Sequence, residues 1–134
     1  MRVFAWKEEY RVDEVRIDSQ HKRLFEIAGR LHEAMRAGEG RSAMAPILDE
    51  LIAYTRTHFG TEESLMQANA YPGFAAHRAE HEFLTERVLE FRRQFGDGKV
   101  ALTVEMLHFL KDWLVRHIGE NDRRFGRWLR ERAA

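Results

Sequence analysis

Apolar residues recur in steps of three and four along most of the chain, and charged or polar residues fill the intervals. This is the period of amphipathic helices, each burying one stripe. The first helix is predicted from about Ser19 to Ala37, capped by Asp18 or Ser19 and ended by Gly38 and Gly40. Its inward stripe is His21, Leu24, Ala28, Leu31 and Met35. The second runs from about Ser42, read as the N-cap, to Asn69. Pro46 falls near its first turn, where proline is best tolerated. Its stripe is Ile47, Leu51, Tyr54, His58, Glu62 and Leu65. Tyr71-Pro72-Gly73 then forces a turn.

The third helix spans about Phe74 to Phe95, with the stripe His77, His81, Leu84, Val88, Phe91 and Phe95, and Gly96-Asp97-Gly98 closes it. The fourth starts near Val100 and buries Val100, Val104, Leu107, Leu110, Leu114 and His117. A short C-terminal helix follows, from about Asp122 to Arg132. Residues 1–18 carry Phe4, Trp6, Tyr10, Val12, Val15 and Ile17 without a long helical period, and read as an extended arm packed on the rest. Four helices joined by short loops make an all-α, up-down-up-down four-helix bundle. The 134 residues are expected to form one domain: an arm over 1–18, the bundle over 19–118 and a C-terminal segment over 119–134.

Composition narrows the function classes. Hydrophobic residues make up 44% and charged residues 33%, a soluble globular balance. Lys+Arg and Asp+Glu both number 22, so no net charge points to nucleic acid or an acidic membrane. No cysteine is present, which excludes disulfides, thiolate metal sites and thiol nucleophiles. The N-terminal stretch is charged and lacks an apolar signal core, and no run reaches the roughly 18 apolar residues of a membrane span. A cytoplasmic location is the expectation.

The stripes also carry the chemistry. His21, His58, Glu62, His77, His81 and His117 replace core residues in otherwise apolar stripes. His58/Glu62 and His77/His81 are four apart, so each pair shares one helix face. The replacements lie early in helices one and three and late in helices two and four, which are level with one another in an up-down-up-down bundle. A buried carboxylate without a partner is costly, and a metal removes that cost. Imidazole and carboxylate donors suit iron, zinc, copper or manganese. With Asp122 the donors number seven, too many for one ordinary ion and about right for two. Asp122 fits least well. It follows His117 by five residues, about 140° round a regular helix. Gly119 between them allows a distortion or a helix end.

Four stretches carry a family likeness: IDSQHKRLFE around His21, HFGTEESLM around His58 and Glu62, YPGFAAHRAEH around His77 and His81, and WLVRHIGEND around His117 and Asp122. In these the chain resembles the hemerythrins, specifically the single-domain bacterial type, from Trp6 to about Phe125. The resemblance implies a non-haem di-iron centre of two iron ions with an oxo or hydroxo bridge. His77, His81 and His117 would hold one iron and His21 and His58 the other, with Glu62 and Asp122 bridging both. Twelve positions on two six-coordinate irons, less eleven so filled, leave one open, on the iron with two histidines. By the same resemblance dioxygen binds there, in a dry pocket of Leu24, Phe59, Trp113, Leu114 and Ile118. Phe25, also beside a ligand, belongs to that pocket or to ordinary core packing. Relatives usually have glycine after the arm's valine, where this chain has Asp13 after Val12.

The resulting expectation is reversible dioxygen binding for carriage, storage or delivery, with dioxygen as ligand and an oxygen-consuming acceptor protein as recipient. An O₂ or redox sensor and a di-iron peroxidase or nitric-oxide scavenger are the alternatives; a structural zinc bundle would need no open position. Sensors of the family usually carry a fused signalling module; none is read within these 134 residues, and a freestanding sensor stays among the alternatives. Other acidic and imidazole side chains read as ordinary: Glu63 as a surface or supporting group, Glu80 and Arg87 as wet helix faces, His32 as a flank or core residue and His108 as solvated.

Overall fold

The computed structural model describes residues 6–12, 14–98 and 104–133. Asp13 and Val100 lie outside the described residues, as do the side chains of Val104 and Ile118. Five α-helices carry the described residues: α1 Val15–Arg36, α2 Arg41–Ala68, α3 Phe74–Gly96, α4 Val104–Arg116 and α5 Arg123–Ala133. No strand occurs among the described residues. The first four form the expected bundle, and α5 continues from α4 through a π-helical stretch, His117–Asp122.

The arm is shorter than the pattern implied. Helix α1 starts at Val15, because the Glu14 side chain accepts from the Ile17 N–H at 2.9 Å and caps it. Val15 is 83% exposed, so it adds nothing to an apolar stripe. Before it, Glu8–Tyr10 make one 3₁₀ turn. Helix α2 begins at Arg41, with Gly40 rather than Ser42 at the N-cap and no side-chain cap. The C-terminal helix starts at Arg123, since Asp122 belongs to the π-helical stretch.

The core is continuous from Ile17, Leu24, Ala28 and Leu31 on α1, through Leu48 and Leu51 on α2 and Phe95 on α3, to Leu107 and Leu114 on α4. The arm and α5 close its end. Phe25 stacks on Tyr10, ring centroids 5.2 Å apart, and meets Trp6 edge-on at 6.0 Å. Val12 is pinned twice: its N–H donates to Asp18 Oδ1 at 2.8 Å, and Arg130 Nη1 donates to its carbonyl at 3.0 Å. Gly126 lets α5 come so close, because a Cβ there would stand 2.3 Å from the Val12 carbonyl oxygen. No helix of the described residues is long and apolar enough to cross a membrane.

Candidate metal centre

Among the described residues, the buried polar and charged side chains are seven: His21, His58, Glu62, His77, His81, His117 and Asp122. Each is at most 4% exposed. They are the seven donors that the stripes and motifs single out, and the fold brings all of them together. Helix α1 delivers His21 from its start and α2 delivers His58 and Glu62 from its later half. Helix α3 delivers His77 and His81 from its first turns, and the π-helical stretch that follows α4 delivers His117.

Asp122 reaches the same point through the backbone. His117–Asp122 is π-helical, so its hydrogen bonds close from i to i+5. One extra residue enters the turn, and residues five apart come onto one face. The angular conflict in the sequence is resolved by distortion, with no helix end at Gly119. Asp122 Oδ1 then lies 2.9 Å from His77 Nε2 and 3.1 Å from His117 Nε2, while Oδ2 lies 2.8 Å from His21 Nε2. Glu62 Oε1 stands 3.1 Å from His58 Nε2, 3.2 Å from His81 Nε2 and 3.5 Å from His117 Nε2. Two donor sets result, each with its ligand atoms within 4.8 Å of one another: Glu62, His77, His81 and His117; and His21, His58, Glu62 and Asp122. Glu62 belongs to both.

These atoms are close, yet few are aligned as hydrogen bonds. Among buried side-chain polar atoms without a hydrogen-bond partner are His21 Nε2, His58 Nε2, His77 Nε2, Glu62 Oε2 and both Asp122 oxygens. Only Trp6 Nε1 on that roll lies outside the seven residues. Buried polar atoms are seldom left unpaired. Atoms that converge on common points without pairing are what a cation needs, and the donor set fits metal ions of the imidazole- and carboxylate-binding kind. The electrostatics agree. Burial pushes Glu62 up, but the His58 charge and the closeness of His117, His58 and His77 outweigh it and hold Glu62 well below the carboxylate range. Against burial and the Glu62 charge, which both raise it, Asp122 is likewise lowered by the His117 charge and the closeness of the His117 and His21 imidazoles. Burial pushes His77 down, but the nearby carboxylates of Asp122 and Glu62 and their charges lift it to about 9. His117 also rises well above the imidazole range, mainly through the Asp122 charge acting against burial. The cluster therefore draws positive charge to its centre.

A second ring of groups was not legible as such in the sequence. Gln20 on α1 accepts from His58 Nδ1 on α2 at 2.8 Å, and its amide nitrogen donates to Thr61 Oγ1 at 3.1 Å. Glu63 on α2 accepts from His81 Nδ1 on α3 at 3.0 Å. Glu80 on α3 places Oε1 3.6 Å from His117 Nδ1, just after α4, and is held by the Asn121 amide. Gln20 and Glu63, each the neighbour of one donor, thus support a donor on the next helix, while Glu80 stands near His117 without a hydrogen bond. A proton held at Nδ1 leaves Nε2 as the lone pair facing inward. The single available signal was adjacency: Gln20, Glu63 and Glu80 flank His21, Glu62 and His81.

Of the expected pocket residues, Phe59 stacks on His81 at 3.7 Å between centroids, and Trp113 stacks on His117 at 4.5 Å. The two rings are 5.8 Å apart. Leu24 and Leu114 are buried in the adjoining core. Phe25 is placed in the seam with the arm. His108 is exposed and His32 half-buried at the flank, as expected.

The model of the hemerythrin HHE cation binding domain matches residues 14–129. The chain belongs to the hemerythrin family. It is 38% identical over 109 residues to the bacteriohemerythrin of Methylococcus capsulatus, covering 81% of this chain and 82% of that one. To the bacteriohemerythrin of Stenotrophomonas maltophilia it is 34% identical over 125 residues, 93% and 80% of the two chains. A wild-type hemerythrin crystal structure superposes with a TM-score of 0.89 at 34% identity, over 92% of this chain and 95% of the other. The bundle and its buried cluster are thus those of a hemerythrin-type iron protein.

Proposed function

We propose that the chain binds dioxygen reversibly at a non-haem di-iron centre, for carriage, storage or delivery. The observation that carries this reading is the shape of the donor set: Asp122 turns one oxygen to His77 and His117 and the other to His21, while Glu62 belongs to both groups. That is the arrangement two carboxylates need to span a pair of ions. His77, His81 and His117 would hold one iron, and His21 and His58 the other, which keeps room for one further ligand. Two ferrous ions there would supply the electrons that dioxygen takes up on binding and gives back on release.

The chain's own residues do the rest. Phe59 and Trp113 lie flat against His81 and His117 and keep water from that side. Leu24 and Leu114 extend the apolar wall, and Ile118 is assigned to it from the family pattern. Gln20 and Glu63 hold their imidazoles in the tautomer that binds metal. Five neutral imidazoles against two carboxylates favour the ferrous state, and with it release over irreversible oxidation.

Anaerobic loading with ferrous iron tests the proposal. Two irons per chain should bind, a visible charge-transfer band should appear in air, and it should vanish when dioxygen is removed, over repeated cycles. Iron binding with no colour change would overturn the reading. Irreversible bleaching that consumes peroxide or nitric oxide would favour the scavenger instead.

A further inference from the structure

A second space, a groove open to one side, lies beside the metal centre and shares Leu114 with its apolar wall. A cavity of about 470 Å³ lies between α2, α3 and α4, walled by Leu51, Ile52, Leu84, Val88, Leu110 and Leu114. Helical bundles normally pack to crystal density, so a space of this size is not a by-product of helix packing. It lies within the roughly 300–1,000 Å³ of small-molecule sites. Its walls are mainly aliphatic and aromatic, with the polar groups Thr55, Glu86, Arg87, Glu90 and Gln94 among them, so its apolar stretch suits hydrocarbon. It is also long. Lining residues on α3 run from Phe83 to Gln94, about eleven residues, or about 16 Å along the axis.

Its rim carries a charge set in place. Arg87 lines the cavity, and its guanidinium lies 5.6 Å from the ring centroid of Phe83 and 5.6 Å from that of Phe109. Two aromatic faces therefore fix the head of this side chain. Both rings stay in water, Phe83 at 56% and Phe109 at 38% exposure. The other arginines of α3 have carboxylate partners: Arg78 with Glu82, Arg92 with Asp49 and Arg93 with Glu90. Arg87 has none among the described residues. Of the acidic groups on the rim, Glu90 is taken by Arg93 and Gln94, which leaves Glu86 as the nearby opposing charge.

We propose that this groove binds a linear aliphatic carboxylate, with the hydrocarbon between α2, α3 and α4 and the head group on Arg87. The planar guanidinium matches a carboxylate in two parallel hydrogen bonds. The length of the groove selects a straight chain over a compact ring. Burial of methylenes supplies the affinity and Arg87 chooses the head, against the Glu86 charge. The site stands independently of what the metal centre binds.

Calorimetric titration of the full-length, metal-loaded protein with octanoate, decanoate and decan-1-ol tests this. One saturable site is expected, with affinity rising about fourfold per methylene at full burial. Arg87→Ala should weaken decanoate about tenfold and leave decan-1-ol unchanged, and Glu86→Gln should tighten decanoate. Val88→Trp should abolish both by filling the groove. Absence of saturable binding overturns the proposal, and so does an Arg87→Ala loss equal for acid and alcohol. Undiminished binding to a folded Val88→Trp variant would do the same. Should that variant not fold, the Arg87→Ala comparison alone decides.

Discussion

Glu63 of α2 accepts a hydrogen bond from Nδ1 of His81 on α3 at 3.0 Å, although its neighbour Glu62 points into the donor cluster. Adjacent carboxylates on one helix thus lie at opposite edges of the same imidazole. Glu63 takes the proton of Nδ1, and Glu62 stands beside Nε2 in the donor cluster. Replacing Glu63 with Ala should lower metal affinity about 10- to 100-fold without unfolding the bundle. Competition against a chromophoric chelator measures this, and an unchanged affinity would make Glu63 an ordinary surface carboxylate.

Metal uptake should release protons. His77 is lifted to about 9 and His117 also rises, so both imidazoles hold protons at neutral pH until a cation displaces them. In the metal-free protein a raised imidazole pKa stabilises the fold fully below about 6.5, and that contribution is lost as pH rises through about 9. Loading should have the opposite slope, weakening as pH falls because protons compete for the same nitrogens. Loading at pH 7 in weak buffer should therefore acidify the solution, which a pH electrode or indicator dye records. Uptake without proton release would contradict the charge balance derived for the cluster.

Gly126→Ala should destabilise the protein by about 1–3 kcal/mol, the usual cost of forcing atoms into a filled space. The new Cβ would stand 2.3 Å from the Val12 carbonyl oxygen, so the arm or α5 must move. Thermal unfolding should show a lowered Tm. An unchanged Tm would mean that the arm does not contribute to stability.

Phe59→Ala should cost about 3–5 kcal/mol of folding stability, as large-to-small changes at buried aromatic positions do. It removes the ring that lies 3.7 Å above His81 and exposes that imidazole to water. Denaturant titration gives the stability. The same variant should lose its dioxygen adduct faster, and an adduct as long-lived as the parent's would remove Phe59 from the pocket wall.

The bundle and its seven donors were legible because burial makes a simple demand. A histidine or carboxylate in an apolar stripe must meet a partner, and six of the seven lay in register with such stripes. The remainder depended on what a single helix does not encode. Val15 is exposed, so periodicity gave no reason to begin α1 there, and the cap is a glutamate where shorter side chains are usual. Gln20, Glu63 and Glu80 act across helix boundaries, and only the packing decides which imidazole each one meets. Asp122 showed a conflict of angle without its solution. Phe25 adjoins a donor in sequence but faces the arm in space.

The π-helical turn before α5 reaches beyond the donors. One residue beyond a regular turn advances everything downstream by about 100°. Phe125 and Gly126 are therefore the residues that α5 buries, and Gly126 is the one that meets Val12. Deleting Glu120 to restore an ordinary turn would rotate Asp122 away from its imidazoles and α5 away from the arm in a single stroke. The chemistry and the closure of the core beside it, at the same end of the molecule, share one rotational phase. Neither can drift in evolution without disturbing its counterpart.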